Sequence, residues 1–318
     1  MTSEKIRLAA PYICLIAVFI LFSIIAPAAF HSGYNLKTLL TQSVIVGIGA
    51  LGMTFVIVSG GIDLSVGSII ALSTVLMAKI LNLHPEPGSL FPWLALLAAF
   101  AVGAACGLLN GFLSARWRIM PFIATLGTMQ IFRGLAKWLA QEQTVTAPVS
   151  WINSLMEIDP TPPWLLLAPG VWILIALGLL VGGILRFTIF GRYAYAIGSN
   201  ETAARYSGIP VVRQRLFLYA VGGAFAGMAG AMQFANLTLG DPTAAEGMEL
   251  DIVAAVVIGG GSLRGGEGRA AGSLVGALLM TVLRNGCNMA GVPNYMQNIV
   301  VGTIIIGAMG LDWLRARS

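Results

Sequence analysis

Apolar stretches follow one another along nearly the whole chain, each close to the roughly 20 residues that cross a bilayer as a helix, and short polar or glycine-rich joints separate them. They predict helical spans at 8–30, 39–59, 64–83, 91–115, 119–140, 164–186, 215–238, 244–261, 269–290 and 295–313. The expected fold is an all-α polytopic membrane bundle of about ten transmembrane helices, one transmembrane domain over 1–318. The eighth span is the weakest. Its uninterrupted apolar core, Ile252 to Ile258, is short and follows Glu246, Glu249 and Asp251, and a segment of that length can re-enter instead of crossing.

Composition agrees with the pattern. With 57% hydrophobic and 10% charged residues and a mean hydropathy of +0.86, too little polar surface exists to coat a soluble globule. The 18 basic residues then set the topology. Ten crossings from an inner N-terminus put Lys5, Arg7, Arg116, Arg118, Arg186, Arg192, Arg205, Arg213, Arg215, Arg264, Arg269, Arg315 and Arg317 on the cytoplasmic face. Only Lys37, Lys79, Arg133, Lys137 and Arg284 fall to the other side. Dropping one span would carry Arg315 and Arg317 outside, against the positive-inside rule, so ten spans with both termini cytoplasmic is the expected arrangement.

The net charge of +5 is thus a topology signal. It does not point to nucleic acid, because no base-stacking aromatics interleave with the basic residues. Cys14, Cys106 and Cys287 lie inside spans without ligand-like spacing and read as small buried hydrophobes. Lys5 and Arg7 before an apolar run and Ala26-Pro27-Ala28 resemble a signal peptide, yet the run exceeds the roughly 7–15 residues of an h-region. An uncleaved first helix is expected.

Small residues recur within the spans: Gly47, Gly49 and Gly52; Gly222, Gly223, Gly227 and Gly230; Gly272 and Gly276. Spacings of three and four place them on common helix faces, the pattern of close interhelical packing in lipid. The run 259–269 holds many glycines but no Lys-Ser/Thr pair, so it reads as a tight turn and not as a phosphate loop.

Two connections are long. The outer one, 141–163, carries Glu142, Glu157, Asp159 and Trp151, and reads either as a short helix over the mouth of a pathway or as a solvated cap. Within the inner one, 186–215, residues 199–207 read as a short helix capped by Asn200, with Glu201 at its positive end and Gly208 and Pro210 stopping it. Ala203 and Ala204 give it a small, approachable side, which suits docking into a partner. Anchoring on lipid headgroups through Arg192, Arg205 and Tyr206 is the alternative.

The strongest chemical signal is Asp63 within Gly60-Gly61-Ile62-Asp63-Leu64-Ser65-Val66-Gly67. A carboxylate at membrane depth costs roughly 2.5–3.5 kcal/mol and is seldom incidental. The preferred reading is a cap, in which Asp63 accepts from the backbone of Ser65 and Val66; the other reading places it on a path or gate. Glu249 and Asp251 are expected at the outer surface. No HExxH, no GxSxG with partners, and no carboxylate pair with a base can be assembled, and His31 and His84 lack ligand spacing, so neither a catalytic site, a metal nor a cofactor is expected. Nor do the spans hold the several acids or bases of an ion-driven transporter. A transporter without its own engine, carrying a docking helix, implies a separate protein that supplies the energy.

Four segments together resemble the membrane permeases of bacterial sugar ABC importers of the ribose, xylose and arabinose type: 58–68 (VSGGIDLSVGS), 121–128 (PFIATLGT) with Arg133-Gly134, 195–209 (YAIGSNETAARYSGI) and 249–262 (ELDIVAAVVIGGGS). Arg264 and Glu267 depart from the small or neutral residues expected after the last of these. The resemblance implies a subunit of the bacterial cytoplasmic membrane that forms a path as a homo- or heterodimer of permeases, receives sugar from a periplasmic binding protein and is driven by a cytoplasmic ABC ATPase. It implies a coupling helix built from Gly198, Asn200, Glu201, Ala203, Ala204, Ser207 and Gly208, alternating access, and two halves related as an inverted repeat, of which the glycine ends of the second and eighth spans are a faint trace.

Candidate path residues are Asn110, Thr125, Thr128, Gln130, Asn236, Asn285 and Asn288, each of which also suits helix–helix hydrogen bonding, the preferred role. A permease for branched-chain amino acids or another small solute, and a stand-alone facilitator, are the rival functions.

Overall fold

The computed structural model describes residues 3–84 and 90–315; Arg317, placed above on the inner face, lies outside them. Twelve α-helices run through the described residues: α1 Ser3–Ile25, α2 Gly33–Val58, α3 Val66–Leu81, α4 Phe91–Ala115, α5 Pro121–Ala140, α6 Pro169–Phe187, α7 Ile189–Ser199, α8 Glu201–Tyr206, α9 Val211–Leu237, α10 Met248–Ile258, α11 Ala270–Met289 and α12 Asn294–Arg315. Each expected span holds one of them, and the inner connection holds two, α7 and α8, where one was expected. By length and composition, five segments among the described residues suffice to cross a membrane: Gly33–Val58, Phe91–Ala115, Pro163–Phe187, Val211–Leu237 and Ala270–Met289. The protein is a polytopic helical membrane protein.

The doubtful eighth span is a helix of 11 residues. At 1.5 Å per residue it covers about 16 Å, half of the roughly 30 Å apolar core. Gly260, in the left-handed region at φ +95°, ends it and turns the chain into the 259–269 joint. At the other extreme, α2 starts well ahead of residue 39 because Ser32 caps it, accepting from the Asn35 N–H at 3.2 Å.

The core is organised around α2, which is buried on all sides from Ser43 to Ser59, as suits a helix apolar all round. Its glycines do not share one face. Gly47 meets Leu174 of α6, Gly49 meets Ile252 of α10 and Gly52 meets Phe225 of α9, so each removes bulk toward a different neighbour. The most extensive contact in the molecule joins α4 to α9. There Gly103 and Gly107 lie against Gly223 and Gly227 with no room for a Cβ on any of them, the backbone-to-backbone approach that stabilises helix pairs in lipid. Gly272 and Gly276 do share a face, against Gly259 and Ala255.

The outer connection is a cap tied to the bundle. Its β1 (Val145–Thr146) pairs antiparallel with β2 (Leu239–Gly240), Val145 opposite Gly240. A 3-10 turn at Trp151–Met156 buries Ile152 and Met156, and Asn153 Nδ2 donates to Thr238 Oγ1 at 2.7 Å.

Candidate functional site

Asp63 lies in the linker between α2 and α3, 1% exposed. Its Oδ1 accepts from the Ser65 N–H at 2.9 Å and the Ser65 hydroxyl at 2.6 Å. Asn110 of α4 donates its amide to Oδ1 at 3.2 Å, to Oδ2 at 3.1 Å and to Ser65 Oγ at 2.8 Å. The Asn110 carbonyl in turn accepts from Thr128 of α5 at 2.6 Å, and Thr125 donates to Pro121 O at 2.9 Å. Of the two backbone donors that the cap reading assigns, the carboxylate takes Ser65 and not Val66, with the Ser65 hydroxyl and Asn110 beside it. It is a node that fastens the start of α3 to α4 and α5, and Asn110, Thr125 and Thr128 belong to this cluster. Gln130, on the same helix α5, is exposed.

The glycines of that motif each make room. Gly61 leaves space for Tyr219 of α9, and Gly67 leaves space for the Glu249 carboxylate and the Ala245 carbonyl. Gly60, at φ +79°, brings the end of α2 beside Gly198 and Arg264.

Toward the other end of α2 lies a cavity of about 750 Å³, within the roughly 300–1,000 Å³ of small-molecule pockets. It is enclosed by α2, α9, α10, α11 and α12 and lined by Gln42, Asn236, Asn285, Asn288, Gln297 and Asn298, with Asp251 and Arg284 between α10 and α11. Asn285 exchanges bonds with Asn35, 3.2 Å each way, and Gln297 donates to Asn288 Oδ1 at 2.7 Å. Gln42, Asn236 and Asn298 are exposed, so their amides present donors and acceptors to whatever fills the space. Asn236, Asn285 and Asn288 thus come together here, apart from the other path candidates.

Asp251 is a correction. Expected at the outer surface, it is 4% exposed and accepts both Arg284 Nε and Nη2, at 2.5 and 2.8 Å. A bidentate pair of this kind is among the stronger side-chain contacts and fixes α10 to α11 at the cavity wall. Glu249 is also drawn inward: its Oε1 accepts from the Gly247 N–H at 3.2 Å.

On the opposite face, Asn200 caps α8 as expected, accepting from Ala203 N at 2.9 Å, and Glu201 pairs with Arg205 at 2.7 Å and Arg215 at 2.8 Å. The expected small face is split, however. Ala204 is buried beside Ile197 and Val211, whereas Ala203, Tyr206, Ser207 and Gly208 face outward. The preceding helix, α7, was missed, although Thr188 accepting from Gly191 N and apolar Phe190, Ala194 and Ile197 at helical spacing mark it. Its end forms a seam without side chains. A Cβ on Gly198 would run into the Val58 carbonyl oxygen, one on Gly265 would lie 2.8 Å from the Cα atoms of both Gly198 and Gly60, and Gly266 N donates to Val58 O at 2.8 Å. Close beside it the Tyr195 hydroxyl, whose pKa burial raises, donates to Gly268 O at 2.7 Å.

A bundle of apolar helices around an amide-lined cavity defines an integral membrane protein of the permease type. The chain belongs to the family described as branched-chain amino acid transport system / permease component, whose sequence model matches residues 35–309. It is similar to the ribose import permease protein RbsC of Escherichia coli (strain K12), 39% identical over 308 residues that cover 94% of this chain and 92% of the relative. The ribose import permease protein RbsC of Bacillus subtilis (strain 168) is 40% identical over 303 residues, 95% of this chain and 91% of the relative. The L-arabinose transport system permease protein AraH of Escherichia coli (strain K12) is 34% identical over 295 residues, 93% of this chain and 87% of the relative. No solved structure matches the chain.

Proposed function

We propose that the chain is the permease subunit of an ATP-binding-cassette importer that carries a monosaccharide or related polyol across the bacterial cytoplasmic membrane. Its partners in this reading are a cytoplasmic ATPase, an extracytoplasmic sugar-binding protein and a second permease copy, identical or paired. The single observation that carries it is the seam at Gly198, where the end of α7 meets the end of α2 and the 259–269 joint at backbone distance. A partner pressing on Ala203, Tyr206 and Ser207 then acts on the helices that enclose the cavity. The cavity supports the substrate class, since exposed amides of both polarities suit hydroxyl groups and tight binding is left to the binding protein. Relatives named as ribose and L-arabinose permeases favour the same class.

The cycle follows from these parts. ATP binding closes the ATPase pair, α7 and α8 move with it, the path turns outward, and hydrolysis resets it. The Asp63 node stays closed throughout as a structural joint. The family description favours a second reading, a branched-chain amino acid as solute, and the same experiment separates the two.

Affinity purification from the native membrane in mild detergent, with mass spectrometry and an ATPase assay on the eluate, tests the proposal. An ABC ATPase should co-purify, and its activity should rise with a co-encoded binding protein and one sugar. Stimulation by leucine or valine instead would move the assignment to amino acids. Repeated elution alone, with proteoliposomes passing solute without ATP, would overturn it in favour of a facilitator.

A further inference from the structure

We infer that the groove between α6, α7 and α11 is a binding site for one anionic phospholipid. The groove encloses about 1030 Å³. One end is ringed by Arg186, Arg192 and Arg269, from three different elements, together with Tyr195. All three arginines are exposed, and none takes part in the ion pairs Lys37–Asp159, Arg205–Glu201, Arg215–Glu201 and Arg284–Asp251. Arg186 instead lies 5.3 Å over the Phe187 ring, and Arg269 and Tyr195 also line the neighbouring cavity, which holds Glu267. Away from the arginines the walls are wholly apolar and low: Ile175, Leu179 and Leu274 with Gly182, Gly183 and Ala271.

Length separates a lipid from a free anion. From Arg186 back to Ile175 along α6 is about 16 Å at 1.5 Å per residue, one leaflet of a roughly 30 Å apolar core. A phosphate or carboxylate alone would use only the arginine end. A phosphodiester headgroup with acyl chains uses both, its charge among three guanidinium groups at the interface and its chains in the channel that the glycines leave open. The inference is independent of the solute carried and of the ATPase.

Native mass spectrometry of the detergent-purified full chain, with added cardiolipin, phosphatidylglycerol or phosphatidylethanolamine and with inorganic phosphate as competitor, tests it. The wild type should retain one anionic lipid through delipidation and release phosphatidylethanolamine. The triple variant R186Q/R192Q/R269Q should bind the anionic lipid about a hundredfold more weakly, roughly fivefold per arginine. Gly183→Leu keeps every charge and fills the groove; its Cβ meets nothing within 4 Å, so the fold tolerates it and the lipid should still be lost. Arg116→Gln with Arg213→Gln, on the same face but outside the groove, should retain it. Equal retention of phosphatidylethanolamine, or unaltered binding in the triple variant, would overturn the site. Displacement by inorganic phosphate, with Gly183→Leu binding as the wild type does, would make it a free-anion site and overturn the lipid.

Discussion

The Asp63 node makes the sharpest prediction. Asp63→Asn keeps shape and one oxygen, so the Ser65 N–H and hydroxyl retain their acceptor at Oδ1. The second oxygen becomes an NH₂ group facing the Asn110 amide, now 3.1 Å away as donor against donor. One charge-assisted bond is lost, at roughly 1.5–3 kcal/mol, so Asp63→Asn should cost about 2 kcal/mol. Asp63→Ala removes the acceptor altogether. The Ser65 N–H and part of the Asn110 amide are then stranded in a site only 1% exposed, at about 1–3 kcal/mol for each orphaned group, and the loss should be about 4 kcal/mol.

Reversible denaturation of the purified protein in mixed micelles reads these values, and proteoliposome uptake with the partner proteins reads function beside them. A double-mutant cycle with Asn110→Ala should show a coupling of about 1–3 kcal/mol, as for groups in one network. Asp63→Asn within about 0.5 kcal/mol of wild type, the spread of an ordinary surface substitution, would refute the node. Unchanged stability together with abolished uptake would place Asp63 on the path.

Three further outcomes follow. Gly198→Val should leave a folded protein whose ATPase stimulation and uptake both fall at least tenfold, because its Cβ displaces the Val58 carbonyl; normal coupling would remove the seam from the mechanism. Asp251→Asn should destabilise by about 3 kcal/mol, the low end for a broken buried pair because the Arg284 side chain is 35% exposed, and Asp251→Asn with Arg284→Gln should regain part of that; denaturation of the three proteins decides it. Gln42→Leu and Asn298→Leu should stay within about 0.5 kcal/mol in stability yet lower sugar uptake several-fold, since both amides face only the cavity; unaltered uptake would move the solute path elsewhere.

What the sequence disclosed depended on range. Hydropathy located a helix in each of the ten expected spans, because the cost of burying polar backbone in lipid leaves few alternatives to helix. Asn200 and Gly208 marked α8 correctly, both being local devices. Helix α7 escaped because Arg186 before it and Arg192 and Tyr193 within it break the run of apolar residues that signals a span, although its shorter period was present. Partners distant in the chain were beyond reach. Nothing at position 110 announces that Asn110 meets Asp63, and the glycines of 259–269 read as a tight turn without disclosing that Gly198 and Gly60 press against them. Asp251 was misplaced for a related reason: acids at the head of a short span look solvent-facing until the arginine that neutralises them is known.

The two polar devices sit in mechanically different surroundings, and that contrast bears on how a push from the inner face would travel. The Asp63 node binds α3, α4 and α5 together, and the glycine contact of α4 with α9 extends the same block. The seam at Gly198 touches other parts, the end of α2 and the 259–269 joint. Close-packed interiors pass displacement on instead of absorbing it, and contacts made of backbone alone have no side-chain rotamers to take up slack. A shift of α7 would therefore go into α2 and into the hinge between α10 and α11, and reach Gln42, about 24 Å along α2 from Val58, at the cavity wall. There α10 is half-length, held to α11 by one ion pair and a glycine face and packed on α2 where Gly49 meets Ile252. In the proposed cycle the block held by Asp63 would be the fixed reference against which α10 and its cavity wall move.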